Sequence, residues 1–237
     1  MNMHARLSAF EAAQKFVEER FPDCGAALLA GSVTRGEATE TSDLDIVIFD
    51  KDIPSAYRES VIAFGWPIEV FVHNLQSYQL FFESDVKRAR PSLPRMVAEG
   101  TVIKKSDYLP KLINEAKRII ELGPEVWTKK EIELKRYFIT ATLDDFIGSN
   151  NDAEELFIAG TLAEQLQEFV LRTNKRWVGK SKWVVRELKH YDPVFSGKFV
   201  EAFSQYYRNG NKEIVVEMTE RVLEPFGGRL FDGFTVK

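Results

Sequence analysis

The hydrophobic positions of this chain change rhythm near residue 106. Before it, short runs of consecutive apolar residues alternate with stretches spaced by three and four; after it, only the three-and-four spacing persists. Ser8-x-x-Glu11 reads as a capping box opening a helix to about Phe21, with Ala12, Phe16, Val17 and Phe21 on its apolar face. Ala26 to Ala30 reads as a short buried strand and Asp45 to Phe49 as a second. Ile53 to Phe64 is expected to be helical and to be broken by Gly65-Trp66-Pro67. In a third strand, Ile68 to His73, alternation puts Glu69, Phe71 and His73 on one face and Ile68, Val70 and Val72 on the other. Leu75 to Val86 is a helix candidate, Pro91 and Pro94 punctuate the segment after it, and Gly100 to Lys104 is a brief fourth strand.

Beyond Ser106 the pattern predicts helices over Leu109–Leu122 (closed by Gly123-Pro124), Lys129–Ile147, Asp152–Thr173, Lys182–His190, Val194–Tyr207 and Glu213–Leu223. The tail, Pro225 to Lys237, is rich in Gly and Phe and reads as packed irregular structure. The simplest organisation is an α/β (α+β) domain over residues 1–106 and an all-helical bundle over 107–237.

The candidate chemistry sits between the first two strands. Gly31-Ser32 follows the first apolar run, and Asp43-Leu44-Asp45 opens the second. Asp43 and Asp45 stand at i and i+2, so they share a strand face about 7 Å apart at Cα. An isolated Asp-x-Asp is more often a polar strand start. Here the pair abuts a fully apolar strand, a costly place for two like charges unless a cation neutralises them. Glu69 lies mid-strand between Ile68 and Val70, and if that strand pairs beside the second it would stand roughly 5 Å from the pair across the ladder. Three carboxylates could hold two divalent cations, as two-metal phosphoryl transfer requires. Gly31 lacks a Cβ and Ser32 offers a hydroxyl, so the turn suits a phosphate group.

The stretch Leu28 to Gly36, through Ser42-Asp43-Leu44-Asp45-Ile46-Val47-Ile48, resembles the nucleotidyltransferase superfamily that includes DNA polymerase β. The shared pattern is an apolar strand, Gly-Ser, a short helix, Asp-apolar-Asp on the next strand, and a third acidic residue on a later strand. The match spans about residues 26 to 73. With its helical C-terminal part, the chain looks most like the bacterial small-molecule branch: the kanamycin, streptomycin and lincosamide nucleotidyltransferases. The resemblance implies a mixed-sheet domain in which Asp43 and Asp45 ligate two Mg²⁺ ions. Glu69 would ligate the ion nearer the acceptor or act as base. Gly31 and Ser32 would hold the β- and γ-phosphates of ATP or another nucleoside triphosphate. Arg35 is a candidate phosphate contact or a solvated helix end; Ser42 could touch phosphate but is favoured as a cap of its turn.

The helical half is expected to supply the acceptor pocket. Asp144-Asp145 and Glu164 lie among apolar helix positions, and a helical-domain carboxylate can serve as general base in antibiotic nucleotidyltransferases. Asp145 and Glu164 are thus candidates, with solvated helix faces as the alternative. Arg172 to Arg186 is a basic and aromatic segment in which Lys180, Lys182 and Trp183 could form a lid over the nucleotide; a loop anchored by tryptophans reads it equally well. His73 shares the face of Glu69 and could lie near the site; His4 is terminal, and no His/Cys cluster suggests zinc.

A net charge of −4 gives no general electrostatic case for nucleic acid or an anionic membrane. One cysteine, Cys24, excludes an intrachain disulfide, and no apolar run approaches the length of a membrane span. The cytoplasm is the default compartment. The reading that results is a Mg²⁺-dependent nucleotidyltransferase moving a nucleoside monophosphate, AMP by preference, to a hydroxyl of a small molecule such as an aminoglycoside, releasing pyrophosphate. The alternatives are the same chemistry on a protein or RNA acceptor, or a non-catalytic nucleotide-binding module. A homodimer, in which one subunit completes its partner's pocket, is compatible with any of these.

Overall fold

The computed structural model describes residues 6–236, so His4 and the last residue fall outside it. The chain divides into two compact units, Met1–Leu122 and Gly123–Lys237. The first unit is built on a five-stranded sheet: β1 (Ala26–Ala30), β2 (Leu44–Phe49), β3 (Tyr57–Ala63), β4 (Trp66–His73) and β5 (Thr101–Lys104), in the order β3-β4-β2-β1-β5. β2 and β4 are parallel and every other pair is antiparallel, so the sheet is mixed.

Helices cover both faces of the sheet centre, which is why β1 and β2 are apolar at consecutive positions instead of alternating. One face packs Leu29, Ile46, Ile48 and Val70 on Ala12, Phe16 and Val17 of α1 (Ala9–Arg20). The other packs Leu28, Val47 and Phe49 on Tyr78 and Phe82 of α2 (Ser77–Lys87), Leu93 and Val97 of α3 (Ser92–Glu99), and Leu112 of α4 (Leu109–Leu122). α1 opens with the capping box expected of Ser8 and Glu11.

The structure departs from the sequence expectations in three places. The segment 53–64 is not a helix: residues 57–63 form β3, which turns through Phe64 (φ 53°) and Gly65 (φ 79°) into β4. Gly65 is therefore a hairpin residue, since two positive φ angles make the tight turn that matches strand twist. The prolines after α2 do not mark only a loop. Pro94 sits in the first turn of α3, where its missing N–H is no loss, and buried Asp85 accepts a hydrogen bond from the Leu93 amide at 2.7 Å. Finally, α4, assigned by its spacing to the helical half, packs on the sheet of the first unit through Leu109, Leu112 and Ala116.

The second unit contains α5 (Lys129–Gly148), α6 (Asp152–Thr173), α7 (Trp183–Tyr191), α8 (Pro193–Asn209) and α9 (Glu213–Leu223). Ile139, Leu143, Phe146, Ala159, Leu162, Leu166 and Phe169 are buried at the spacings that place them on single helix faces. The tail lies along α5: Arg136 donates to the Gly228 carbonyl, the Leu230 amide donates to Thr140 Oγ1, and Phe234 stacks on Tyr137 at 4.0 Å. Among the described residues no helix is long and apolar enough to cross a membrane.

Phe49 is fully buried between Tyr78 and His73, at the top of β2. Truncation to Ala should cost the first unit about 3–5 kcal/mol. Hydrogen exchange of the β2 amides would read this as lost protection; unchanged protection would contradict the packing described.

Candidate active site

The two covering layers leave polar side chains a place at the start of β2 and along the part of β4 that borders the open face of β3. Parallel pairing of β2 with β4 sets Asp45 opposite Glu69, and alternation along β2 puts Asp43 on the same face. The result is a triad, Asp43, Asp45 and Glu69, each partly buried and each offering a carboxylate oxygen within 4.8 Å of the others. Burial, then the charge of Asp43, then that of Glu69, push the Asp45 carboxyl up to about 6. Hard oxygen donors crowded this closely fit a hard divalent cation better than they fit one another.

Gly31 closes the site from the end of β1. Its φ of 87° lies in the region that only glycine enters without strain, and a Cβ there would collide with Asp45 Oδ2. The glycine thus lets the backbone approach the carboxylate directly. Ser32 leads into a 3₁₀ turn, Val33–Arg35, which Thr34 ties back by donating to the Gly31 carbonyl at 3.0 Å. Ser32 Oγ donates to Ser42 Oγ at 3.2 Å, and Ser42 Oγ in turn accepts from the Thr39 amide at 2.8 Å. The second contact is the turn cap expected of Ser42; the first binds the Gly-Ser turn to the residue just before Asp43. Arg35 pairs with Glu37 at 3.1 Å and with Glu99 at 3.4 Å, which anchors the turn to α3.

A family model for the nucleotidyltransferase domain matches residues 11–147, more than half of the chain. The chain belongs to the nucleotidyltransferase domain family. It is a nucleotidyltransferase enzyme in class, and the triad and the Gly-Ser turn lie inside the matched region. Among solved structures it is similar to a nucleotidyltransferase-like protein from Exiguobacterium sibiricum 255-15. The two are 14% identical, and the alignment covers 91% of this chain and 74% of that chain with a TM-score of 0.49. No curated protein matches the chain.

Arg58 is a feature of the candidate site that the sequence reading missed. It lies on β3 with its Cα paired to Phe71, two residues along β4 from Glu69, and its guanidinium forms an ion pair with the Glu69 carboxylate. Reading 53–64 as a helix hid it, because only strand alternation places Arg58, Ser60 and Ile62 on the face of Glu69.

Other candidates are placed differently. His73 is a core residue: it is 3% exposed, four residues up β4 from Glu69, and its ring lies 4.8 Å from that of Phe81. Burial lowers its pKa to about 4, so it is neutral at ordinary pH. Asp145 and Glu164 are exposed on α5 and α6 of the second unit, and the neighbouring Asp144 is paired with Arg229 at 3.0 Å. Lys180 and Lys182 are exposed in the same unit. Trp183 opens α7 half-buried, with the Arg186 guanidinium 5.0 Å from its ring centre. The loop before it is held to the bundle by buried Trp177 and by Gln167 donating to the Gly179 carbonyl at 3.3 Å.

The Asp45 carboxyl carries a signed pH dependence. Its folded pKa of about 6 exceeds its unfolded value of 3.8, so the stability it contributes is full below about pH 3.8 and is lost as pH rises through about 6. In the presence of a chelator, Asp45→Asn should therefore be more stable than wild type at pH 7.5, by roughly 2 kcal/mol after allowance for partial exposure. The advantage should vanish by about pH 4. Paired denaturation curves across that range test this, and a constant difference would contradict the placement of Asp45.

Proposed function

We propose that this nucleotidyltransferase moves a nucleoside monophosphate, AMP by preference, from a nucleoside triphosphate to a hydroxyl of a small molecule. The observation that carries this reading is the register of β2 with β4, which brings three carboxylates within 4.8 Å of one another beside the Gly31-Ser32 turn. In the balanced reaction an acceptor oxygen forms a bond to the α-phosphorus, the bond from that phosphorus to the bridging oxygen breaks, and pyrophosphate leaves with the electron pair. The hydroxyl proton passes to solvent or to a carboxylate.

Asp43 and Asp45 would hold Mg²⁺, and Glu69 would hold the ion on the acceptor side. Bound there, the ions would acidify the acceptor hydroxyl, neutralise the α-phosphate and stabilise the departing oxygen. The chain's own contribution is placement. Gly31 lets the turn lie directly against the Asp45 carboxylate, and Ser32, tied to Ser42, offers a hydroxyl at that turn for a phosphate of the triphosphate. Arg35, held by Glu37 and Glu99, adds positive charge near the turn.

A small-molecule acceptor is favoured over nucleic acid by the net charge of −4. The further helical unit gives the chain material from which to shape an acceptor pocket, with exposed Asp145 and Glu164 as candidate bases. Such acid suits a polycationic acceptor, and an aminoglycoside is the first class to try. Lys180, Lys182 and Trp183 are candidates to contact the nucleotide.

Pyrophosphate release should appear with Mg²⁺, one nucleoside triphosphate and an acceptor from a panel of aminoglycosides and lincosamides. In the Asp43→Asn/Asp45→Asn protein it should fall by at least about a hundredfold. Turnover retained in that variant, with its fold intact by circular dichroism, would sink the site assignment. Release driven by an RNA end or a protein in place of the small molecules would transfer the reading to those acceptors.

A further inference from the structure

The site contains a cation of its own. Arg58 reaches Glu69 from β3, the edge strand of the sheet. Its side chain is 57% exposed, and that of Glu69 is 27% exposed. The guanidinium carbon also lies 4.9 Å from the centre of the Phe71 ring, a cation–π contact that keeps the group beside the strand when it leaves the carboxylate. The neighbouring cation, Arg35, is paired with Glu37 and Glu99. The guanidinium of Arg58 therefore meets the triad at the carboxylate that would hold the acceptor-side metal. It occupies Glu69 Oε2, and the face of β3 around it is open: Arg58, Ser60 and Ile62 are all exposed.

A divalent cation and a guanidinium would compete for the charge of that carboxylate, and at such range the two cations repel strongly. We propose that Arg58 is an exchangeable counter-ion of Glu69, displaced onto Phe71 when a divalent metal binds the triad and returned when the metal leaves. The inference rests on the reading of Asp43, Asp45 and Glu69 as a metal site. The arginine keeps the carboxylate paired in the metal-free protein, and it weakens metal binding there by competition. Metal binding also releases a guanidinium on the acceptor side of the site, where it can meet an anionic group.

A merely structural Arg58 would not act on metal affinity with this sign. Mn²⁺ binding to the protein without nucleotide, followed by the electron paramagnetic resonance signal of the free ion, separates the cases. Arg58→Gln should bind Mn²⁺ roughly fivefold more tightly than wild type, the scale of releasing a partly exposed ion pair. Arg58→Lys should stay near wild type. In a Glu69→Gln background the Arg58→Gln change should have no effect. Equal or weaker Mn²⁺ binding by Arg58→Gln would overturn the exchange while leaving the metal site standing. Absence of Mn²⁺ binding in both wild type and Arg58→Gln would remove the metal reading and the exchange together. A second measurement needs no variant: the Arg58 Nε–H resonance of wild type should shift when Mg²⁺ saturates the protein. A resonance unmoved at saturation would overturn the proposal.

Discussion

The parallel ladder between β2 and β4 holds Asp45 beside Glu69, and the rest of the first unit can be understood from what that meeting requires. Like charges this close repel, and burial at the end of an apolar sheet raises the cost; the elevated Asp45 pKa is the measure of it. Packing elsewhere must keep the strands in register against that repulsion. A slip of β4 by one residue against β2 would send Glu69 and Phe71 to the opposite face, away from Asp45. Helices on both faces oppose this: α1 grips Ile46 and Val70 on one side, and α2, α3 and α4 grip Val47 and Phe49 on the other. The hydrophobic core thereby holds a site that electrostatics alone would push apart.

The surrounding groups divide the remaining cost. Gly31 yields space to Asp45 by having no side chain, at a φ that few other residues tolerate. Ser32, Thr34 and Ser42 make the turn rigid through short-range hydrogen bonds. Arg58 supplies positive charge to Glu69 from an edge strand whose outer face is open. These groups come from the turn at residues 31–34, from the turn before Asp43 and from β3, so the site is a property of the assembled sheet and of no single motif. The second unit is organised by a different rule. Its helices bury one face each, and its tail is fastened along α5 through Arg136, Tyr137 and Thr140.

Much of this was legible in the chain, unevenly so. β1 and β2 announce themselves as apolar runs because both of their faces are covered, and β4 by the alternation of Ile68, Val70 and Val72 on its covered face. The helices at 152–173 and 213–223 follow from spacing and flanking residues alone. β3 did not announce itself. It is an edge strand with one open face, carrying Arg58, Glu59 and Ser60, and so it lacks the apolar signature of its neighbours. α3 was obscured by Pro94, which reads as a breaker unless the helix start is known to lie just before it. His73 shared a strand face with Glu69, yet a strand has length as well as faces; four residues separate a part-buried carboxylate from a core imidazole.

The order of residues by itself determined the pair Asp43 and Asp45, the glycine beside them, the acid at 69 and the family to which the chain belongs. These are local facts: a period of two within one strand, a turn that tolerates only glycine, and a charge where an apolar residue would ordinarily stand. Tertiary structure decided that β4 runs parallel to β2 at the register that brings Glu69 to Asp45, and that Arg58 is the cation facing them. It also decided that α4 belongs to the sheet. Each of these depends on strand order or on packing between distant segments. Spacing along one segment carries no information about which neighbour it will meet, because that choice is made by burying all the apolar faces at once.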